Sequence, residues 1–288
     1  MFLPRRILEE KLLKMLAEDL GLGDITTGLI VSPSIISEAE IVANDSGVVA
    51  GIEEATVLLQ SLGLETDILT QDGEKIRPGQ RLIRARGNAR TMLSVERTLL
   101  NVLSRMSGIA TTVRNLVEKL QKAKLNVVIA CTRKTAPGLG YFDKKAVFIG
   151  GGDTHRLHLD DMILIKDNHI AVAGGIEKAI CQARHGASFA KKIEVEVTSA
   201  RDALKAAKGG ADVIMLDNFS PSQAKMTCAL LRKTERNNRF LIEASGGINA
   251  ENIIRYASTG VDVVSLGEIT ESPKALNISL EIARISKQ

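Results

Sequence analysis

Residues 191–220 read "KKIEVEVTSARDALKAAKGGADVIMLDNFS", and they combine two kinds of pattern. The two apolar runs that open and close the stretch are rich in β-branched residues, which is typical of buried strands. Between them, Ser199 and the pair Gly209-Gly210 bracket an alanine-rich segment with helical spacing, and these residues favour the two ends of a helix. A strand, a helix and a second strand in this order predict a unit of parallel sheet.

The same pattern recurs through the second half of the chain. Four more apolar runs end in polar residues or glycine: "LNVVIACTRK" (125–134), "DDMILIKDNH" (160–169), "RFLIEASGG" (239–247) and "VDVVSLGEI" (261–269). Six strands within about 160 residues favour a parallel α/β barrel, in which chemistry collects at the carboxyl ends of the strands. A doubly wound open sheet is the alternative.

The first hundred residues have a different organisation. Turn residues separate "ISEAEIVANDSGVVAG" (36–51) from "RLIRARGNA" (81–89), which predicts antiparallel strands in an α+β sandwich. A helix is predicted over 91–106, and Gly108 is expected to end it. We therefore predict a sandwich domain over 1–107 and a barrel over 108–268. The tail, 269–288, is predicted to form an amphipathic helix that returns to the sandwich, with an apolar face of Leu276, Ile278, Leu280, Ile282 and Ile285.

Composition excludes several classes of protein. The chain has 288 residues, a formal net charge of +4, 3% aromatic residues and no Trp, so nucleic acid is an unexpected partner. No apolar run is long enough for a membrane helix, and the N-terminal pattern lacks the features of a signal peptide, so we expect a cytoplasmic enzyme. Cys131, Cys181 and Cys228 lie far apart, which indicates neither a disulfide framework nor a zinc site.

The ends of the predicted strands carry charge of both signs. In chain order they present Thr132, Arg133, Lys134, Lys166, Glu196, Asp217, Ser245, Gly246, Gly247 and Gly267. Cations together with two carboxylates suit an anionic, phosphorylated ligand that carries a divalent cation. Taken by themselves, Arg133 and Lys134 fit solvated charges better than a site, and Glu196 and Asp217 fit structural ion pairs as well as metal binding.

Two glycine-containing stretches add to this picture. "SGGI" and "SLGEI" follow the last two strands, where barrels often bind phosphate through backbone N–H groups, although ordinary turns have the same composition. The triplet Gly150-Gly151-Gly152 precedes His155 and Arg156, and this proximity suggests a substrate loop. A flexible turn and a structural histidine are the alternatives.

Eight motifs in this order resemble the quinolinate phosphoribosyltransferase family, also called nicotinate-nucleotide pyrophosphorylase (carboxylating). The motifs cover nearly the whole chain: "EDLGLGDITT" (18–27), "VERTLLNVLSRMSGIATT" (95–112), "CTRKTAPG" (131–138), "GGGDTHR" (150–156), "LIKDNHI" (164–170), "EVEVTS" (194–199), "IMLDNF" (214–219) and "EASGGI" (243–248). The resemblance implies the same fold, an N-terminal sandwich followed by an α/β barrel. It also implies a homodimer with shared active sites and leaves open whether dimers assemble into hexamers.

The implied reaction joins quinolinate to phosphoribosyl pyrophosphate with Mg²⁺, and it yields nicotinate mononucleotide, pyrophosphate and CO₂ in NAD biosynthesis. The resemblance assigns quinolinate binding to Arg133, Lys134, His155, Arg156 and Lys166, together with Arg97 of the partner subunit, and places Thr132 beside them. It assigns Glu196 and Asp217 to the ribose hydroxyls and Mg²⁺. Ser245, Gly246, Gly247 and Gly267 are expected along the phosphate path. Lys134 or Lys166 is expected to assist decarboxylation, and the sequence does not distinguish them.

The chain departs from the family pattern at two places. Gly140 and "DKKAV" (143–147) replace an arginine and "EKYAV", which is expected to remove a cation near the site. "GEITES" (267–272) replaces "GALTHS", which places Glu268 near the phosphates.

Three other functions compete with this interpretation. One is phosphoribosyl transfer to nicotinate, although two substrate carboxylates account better for so many cations. Another is a Schiff-base aldolase with Lys166 as the nucleophile. The third is a protein that binds an anionic metabolite without turnover.

Overall fold

A computed structural model describes residues 3–234 and 240–287, and the chain divides into two compact units. The first unit runs to Arg114 and takes in Tyr141–Gly151 and the chain from Pro273 onward. The second comprises Asn115–Gly140 and Gly152–Ser272. The sequence-based ranges 1–107, 108–268 and 269–288 stay predictions. Met1, Phe2, Gln288 and Arg239, which the predictions include, lie outside the described residues.

The first part of the chain alternates helices and antiparallel strands. Its elements are α1 (Arg5–Leu20), α2 (Ile25–Ile30), β1 (Ile35–Ala43), β2 (Gly47–Val48), α3 (Ile52–Ser61), β3 (Glu65–Ile68), β4 (Lys75–Ile76), β5 (Arg81–Asn88) and α4 (Ala89–Lys122). Alternate residues of β1, such as Ala39 and Ile41, are fully buried, as expected for a sheet with one covered face. The helix α3 packs on β3 and β5, and α1 packs on α3, which gives the predicted sandwich.

The remaining elements follow in chain order. They are β6 (Val128–Cys131), α5 (Gly140–Gly150), β7 (Ile163–Ile165), α6 (Asp167–Ala173), α7 (Ile176–Gly186), β8 (Ile193–Val197), α8 (Ala200–Lys208), β9 (Val213–Asp217), α9 (Pro221–Thr234), β10 (Leu241–Ser245), α10 (Ile253–Ala257), β11 (Val263–Leu266), α11 (Glu268–Glu271) and β12 (Ile278–Lys287).

The prediction of a C-terminal helix is wrong, because β12 is a strand of the first unit. It pairs antiparallel with β1 from Ile35↔Lys287 to Ala43↔Ile278, in a sheet of order β12-β1-β5-β3. The physical reason lies in the spacing of Leu276, Ile278, Leu280 and Ile282, which recur every second residue. That is the period of a strand, and a helical face requires intervals of three and four.

The expected helix end at Gly108 is also wrong, since α4 continues through it to Lys122. A Cβ atom at this position would lie 1.9 Å from the backbone oxygen of Lys274. Glycine is therefore required here because another backbone passes close to the helix, and the residue does not act as a helix stop.

Two sets of buried charges lie within the first unit. Arg105 on α4 donates to both carboxylate oxygens of Asp143 on α5, at 2.7 and 2.9 Å, and Asp143 is fully buried. Lys145 donates to Glu54 Oε1 at 2.7 Å and also pairs with Glu53. The substituted "DKKAV" motif thus supplies structural ion pairs, and its residues do not line the cavity described below.

The second unit contains a parallel sheet of order β6-β11-β10-β9-β8-β7 among the described residues. All six predicted strands are present. The order follows the chain around the sheet and returns β6 to the side of β11, which is the winding of a barrel and lacks the reversal of a doubly wound sheet. Beyond the other edge of β6, Asp153 forms an isolated parallel bridge with Ala130.

The amino ends of two strands are fixed by the same device. Asp212 Oδ2 accepts the N–H of Ile193 at 2.7 Å and pairs with Arg184, while Asp262 Oδ2 accepts the N–H of Ile242 at 2.7 Å and pairs with Arg232. Each aspartate therefore links the starts of two neighbouring strands. This end of the barrel is where stabilising contacts are expected, and the opposite end is left for chemistry.

No helix in the described part of the chain is both long and apolar enough to span a membrane.

Candidate active site

The carboxyl ends of the six strands surround one cavity of about 720 Å³ in the second unit. The residues singled out from the sequence that line it are Thr132, Arg133, Lys134, His155, Arg156, Lys166, Glu196, Asp217, Ser245, Gly246, Gly247 and Gly267. Glu268, one of the departures from the family pattern, lines it too. Arg97 lies on α4 and is not part of this lining, so its role stays a prediction.

Strand alternation explains how these side chains reach the cavity. Residues two apart on a strand lie on the same face, so Asp217 shares its face with Met215, and Ser245 shares its face with Glu243. All four line the cavity. The polar groups therefore belong to the inner face of the barrel, as its architecture requires.

The lysine and arginine side chains of the cavity differ in their partners: the two lysines face carboxylates, and the two arginines do not among the described residues. Lys166 Nζ lies 2.8 Å from Glu196 Oε2, and Lys134 Nζ lies 3.6 Å from Glu271 Oε2. Arg133 and Arg156 have no carboxylate within ion-pair distance among the described residues. Burial and then the charge of Arg133 lower the pKa of Arg156 from its usual range. The two guanidinium groups are thus left to bind an anion.

Lys134 is held from several directions by the segment that follows β11. Its backbone oxygen accepts the hydroxyl of Thr270 at 2.8 Å, and its ammonium faces Glu271. A Cβ atom on Gly267 would lie 3.1 Å from Lys134 Cδ, so the glycine leaves room for the lysine stem. The sequence indicated Gly267 as a phosphate contact, and the structure adds this packing role.

Glu196 and Asp217 form the acidic side of the cavity. Burial and then the charge of Glu196 raise the pKa of Asp217, which indicates two carboxylates close enough to repel each other. Asp217 Oδ2 accepts the side-chain amide of Asn218 at 2.9 Å. Two carboxylates open to the cavity are hard oxygen donors of the kind that Mg²⁺ prefers, so these residues fit such an ion.

The loop after β10 requires glycine for two reasons. Gly246 has φ +93°, and a Cβ atom there would lie 2.3 Å from Asn218 Oδ1 and 2.9 Å from Asn218 N. Asn218 itself has φ +56° and donates its N–H to Ser245 O at 2.9 Å. A Cβ atom on Gly247 would meet nothing within 4 Å, so this backbone faces open space, as a phosphate-binding turn does.

A buried cluster under His155 was missed in the sequence. His155 Nε2 lies 3.3 Å from Oε2 of Glu194 and of Glu243, two residues that are fully or almost fully buried. Burial and the charge of Glu243 raise the pKa of Glu194, although His155 opposes the rise. Burial lowers the pKa of His155, but the two nearby glutamates outweigh burial and raise the value to about 10. A signal existed, because glutamate in the middle of an apolar strand is rarely tolerated without a partner.

Comparisons with known proteins cover both units. A family model described as "Quinolinate phosphoribosyl transferase, N-terminal domain" matches residues 24–107, and the model of the C-terminal domain matches residues 109–281. Among curated proteins, a probable nicotinate-nucleotide pyrophosphorylase [carboxylating] of Methanothermobacter thermautotrophicus is 45% identical over 93% of this chain and 96% of its own length. The rat protein of that name, without "probable", is 37% identical over 88% and 84%. A crystal structure of NadC from Streptococcus pyogenes superposes with a TM-score of 0.90 at 34% identity, and it covers 100% of this chain and 99% of its own.

Proposed function

The chain belongs to the quinolinate phosphoribosyl transferase family, and we propose that the cavity at the strand ends is where it carries out the family's reaction. It is a phosphoribosyltransferase of NAD biosynthesis that converts quinolinate into nicotinate mononucleotide. The observation that supports this location best is the division of one cavity into two sides. Its cationic side has two guanidinium groups without a carboxylate partner among the described residues, and its other side is acidic.

Quinolinate carries two adjacent carboxylates, and the cationic side suits it. Arg133 and Arg156 repel each other through charge and have no described carboxylate partner, so a bound dianion relieves that repulsion. Each guanidinium offers two parallel N–H groups to one carboxylate. Lys134 and Lys166 add positive charge while they stay near Glu271 and Glu196.

In the transfer step, the pyridine nitrogen forms a bond to the anomeric carbon of the ribose as the bond to pyrophosphate breaks. The leaving oxygen takes the electron pair, and positive charge develops on the sugar. Glu196 and Asp217 are the carboxylates placed to stabilise that charge and to accept hydrogen bonds from the ribose hydroxyls. We propose that the backbone of Gly246, Gly247 and Gly267 lies along the phosphates.

Mg²⁺ is proposed as the metal of this reaction, held by Glu196 and Asp217. When bound, the ion would neutralise charge on the departing pyrophosphate. The protein side of this site is the pair of carboxylates. Burial and then the charge of Glu196 raise the pKa of Asp217, and a cation between the two carboxylates would relieve their repulsion.

Decarboxylation follows once the ring nitrogen is alkylated. The C–C bond to the adjacent carboxylate breaks, CO₂ leaves, and the electron pair remains on the ring carbon next to the cationic nitrogen until a proton arrives. Lys166 and Lys134 are the ammonium groups of the cavity that can donate that proton. Lys166 lies 2.8 Å from a carboxylate of Glu196, an arrangement that suits a fixed cation better than a Schiff-base nucleophile.

A single assay tests the reaction and its acceptor. Purified protein receives phosphoribosyl pyrophosphate and Mg²⁺ with either quinolinate or nicotinate, and mononucleotide and CO₂ are measured. Product from quinolinate alone supports the proposal, and product from nicotinate alone moves the specificity. Binding without product from either acid favours the non-catalytic alternative. Incorporation of substrate at Lys166 after borohydride treatment would favour an aldolase.

We further propose a cytoplasmic homodimer in which Arg97 of the partner subunit completes each site. The support is the resemblance of residues 95–112 to the family motif, and complementation tests it. Arg97→Ala and Lys166→Ala subunits, each inactive alone, are mixed, unfolded and refolded together. If sites are shared, mixed dimers hold one intact site and the mixture recovers about a quarter of wild-type activity. No recovery would contradict a shared site.

A further inference from the structure

The cluster of His155, Glu194 and Glu243 carries an inference about how the substrate site is held. The imidazole ring is largely buried, with its side chain 13% exposed, and Glu194 is completely enclosed. Both oxygens of Glu194 and Oε1 of Glu243 lack a hydrogen bond of good geometry among the described residues. Buried carboxylates in this state require either a hydrogen-bond donor or a bound cation.

The contacts of the ring nitrogens decide between these two possibilities. His155 Nδ1 accepts the backbone N–H of Arg156 at 2.8 Å, so it carries no proton in this arrangement. The ring proton of a neutral imidazole then lies on Nε2, which faces the two glutamates. A histidine that binds a metal through Nε2 must carry its proton on Nδ1, where it would meet the Arg156 N–H.

The same contact argues against an imidazolium ion. Two fully charged glutamates would raise the pKa of His155 to about 10, but a doubly protonated ring would set an Nδ1–H against the Arg156 N–H at 2.8 Å. Two donors at that distance repel each other. A neutral ring with its proton on Nε2 lets Nδ1 accept the Arg156 N–H and turns an N–H group toward the two glutamates.

The backbone around the ring is fixed as well. His155 has φ +50°, a conformation that residues other than glycine adopt infrequently and at a cost. Its N–H donates to Asp153 Oδ1 at 2.6 Å, and its carbonyl accepts the hydroxyl of Thr154 at 3.0 Å. The ring is therefore the link between a left-handed turn and Arg156, the next residue of the cavity lining.

We infer that Glu194 and Glu243 are positioning residues, which hold His155 as the neutral Nε2–H tautomer so that its Nδ1 fixes the backbone of Arg156 and directs that guanidinium to quinolinate. The inference rests on the proposed function, because the role of Arg156 is assigned there. It adds an indirect role to the expected contact between His155 and substrate, which stays a prediction, and it makes two strand glutamates part of the quinolinate site.

The test uses Glu243→Ala and Glu243→Gln, because Glu243 is distant in sequence from the proposed magnesium ligands. In Glu243→Ala the KM for quinolinate is expected to rise about tenfold, while kcat and the KM for phosphoribosyl pyrophosphate stay within about twofold. Glu243→Gln keeps one acceptor oxygen and should recover most of the loss. Glu177→Gln, at an exposed position on α7, is the control. Equal losses in kcat and both KM values, without rescue by glutamine, would overturn the inference.

Two further measurements do not depend on turnover. Nitrogen-15 NMR of histidine-labelled protein, assigned with His155→Gln, should show a neutral ring with the proton on Nε2. An imidazolium pattern at neutral pH would overturn the inference. Metal analysis after dialysis should find the same divalent-ion content in wild type and in Glu243→Ala. One equivalent of metal in the wild type that is lost in Glu243→Ala would make the cluster a metal site and overturn the inference. A wild type that shows the neutral tautomer but does not turn over quinolinate would leave the cluster intact and refute the proposed function.

Discussion

The charges of the first unit and those of the cavity in the second unit are arranged in opposite ways. In the first unit, Arg105 makes two short hydrogen bonds to Asp143, and Lys145 lies between Glu53 and Glu54. In the cavity, Arg133 and Arg156 are close enough for like charges to lower a pKa, and Glu196 raises that of Asp217. In the first set, which we call the closed set, every charge lies beside a charge of opposite sign. In the second set, which we call the open set, Arg133 lies near Arg156, and Glu196 lies near Asp217.

The difference shows how structural and functional charges can be told apart. A buried ion pair is retained when both partners satisfy each other, and its removal is felt as lost stability. Like charges in a cavity reduce stability in the free protein and are explained by a ligand of opposite sign. Charge type alone does not make this distinction, since both sets contain arginine, lysine and carboxylates.

The largest expected effect breaks the open set. Lys166→Ala should lower quinolinate turnover by about 10²- to 10⁴-fold, because it removes both a cation and a proton donor. Unfolding by urea should change by less than about 0.5 kcal/mol, since Lys166 is half-exposed. Lys178→Ala on α7 is a control for loss of a surface lysine. Unchanged turnover in a folded Lys166→Ala protein would refute the assignment of this site.

A substitution in the closed set should lower stability and leave activity unchanged, the reverse of the effect of Lys166→Ala. Lys145→Met leaves Glu54 buried without its cation, and the free energy of unfolding should fall by about 3–5 kcal/mol. Specific activity per folded molecule should stay near that of the wild type. Urea titration and an activity assay at the same temperature measure both quantities. A stability loss below about 1 kcal/mol would show that the cluster is not a closed structural network.

The pH dependence of that loss sharpens the comparison. Burial opposes the charged form of Lys145, but Glu54 and Glu53 outweigh burial and raise its pKa above 10.5. The lysine therefore stabilises the fold fully below 10.5, and the contribution is lost as pH rises through the higher folded value. The stability difference between wild type and Lys145→Met should shrink in that window.

Arg105→Met provides the matched control for this titration. Arginine keeps its charge throughout the accessible range, so the stability difference between wild type and Arg105→Met should stay constant where that of Lys145→Met shrinks. A parallel decline in both differences would point to a general effect of alkaline pH, and it would remove Lys145 as the cause.

The smallest expected effect concerns the ion pair of Lys134 and Glu271, which lines the cavity but joins charges of opposite sign. Lys134 and Glu271 are 3.6 Å apart and are 66% and 55% exposed, so their pairing is weak. Glu271→Gln should free Lys134 for the dianion and lower the KM for quinolinate by about two- to fivefold, with stability unchanged. Glu251→Gln is the control. A higher KM would mean that Glu271 helps to hold Lys134 in its productive position.

Much of the fold was predictable because its strands are buried on both faces. Continuous β-branched runs that end in polar residues identified all six strands of the barrel unit. The prediction of a helix in the tail fails because Leu276, Ile278 and Leu280 alternate along the chain, which is the period of a strand. Gly108 was mistaken for a helix stop because its reason, the backbone of Lys274, lies more than 150 residues away. Contacts of that kind are absent from local sequence patterns.

The site was predictable to the extent that it consists of strand ends. Position after a buried strand identified Arg133, Lys166 and Asp217, since carboxyl ends of parallel strands meet at one edge. Glu194 and Glu243 were not predicted because they lie two residues before the strand-end positions Glu196 and Ser245. Their partner, the loop residue His155, contacts them only when the barrel forms. Their role depends on the His155 loop, β8 and β10, which the winding of the barrel brings together, and the sequence of any one of these segments does not reveal it.

The pairing of β1 with β12 also determines when the first unit can be completed during synthesis. β1 lies between β5 and β12, and β12 is the last of the described elements to emerge from the ribosome. Until then, one side of β1 presents unpaired N–H and C=O groups along Ile35–Ala43, a surface on which another chain can add a strand. The barrel unit has all of its strands earlier. The fold thus leaves an early strand open to aggregation until β12, the last described strand, has been synthesised.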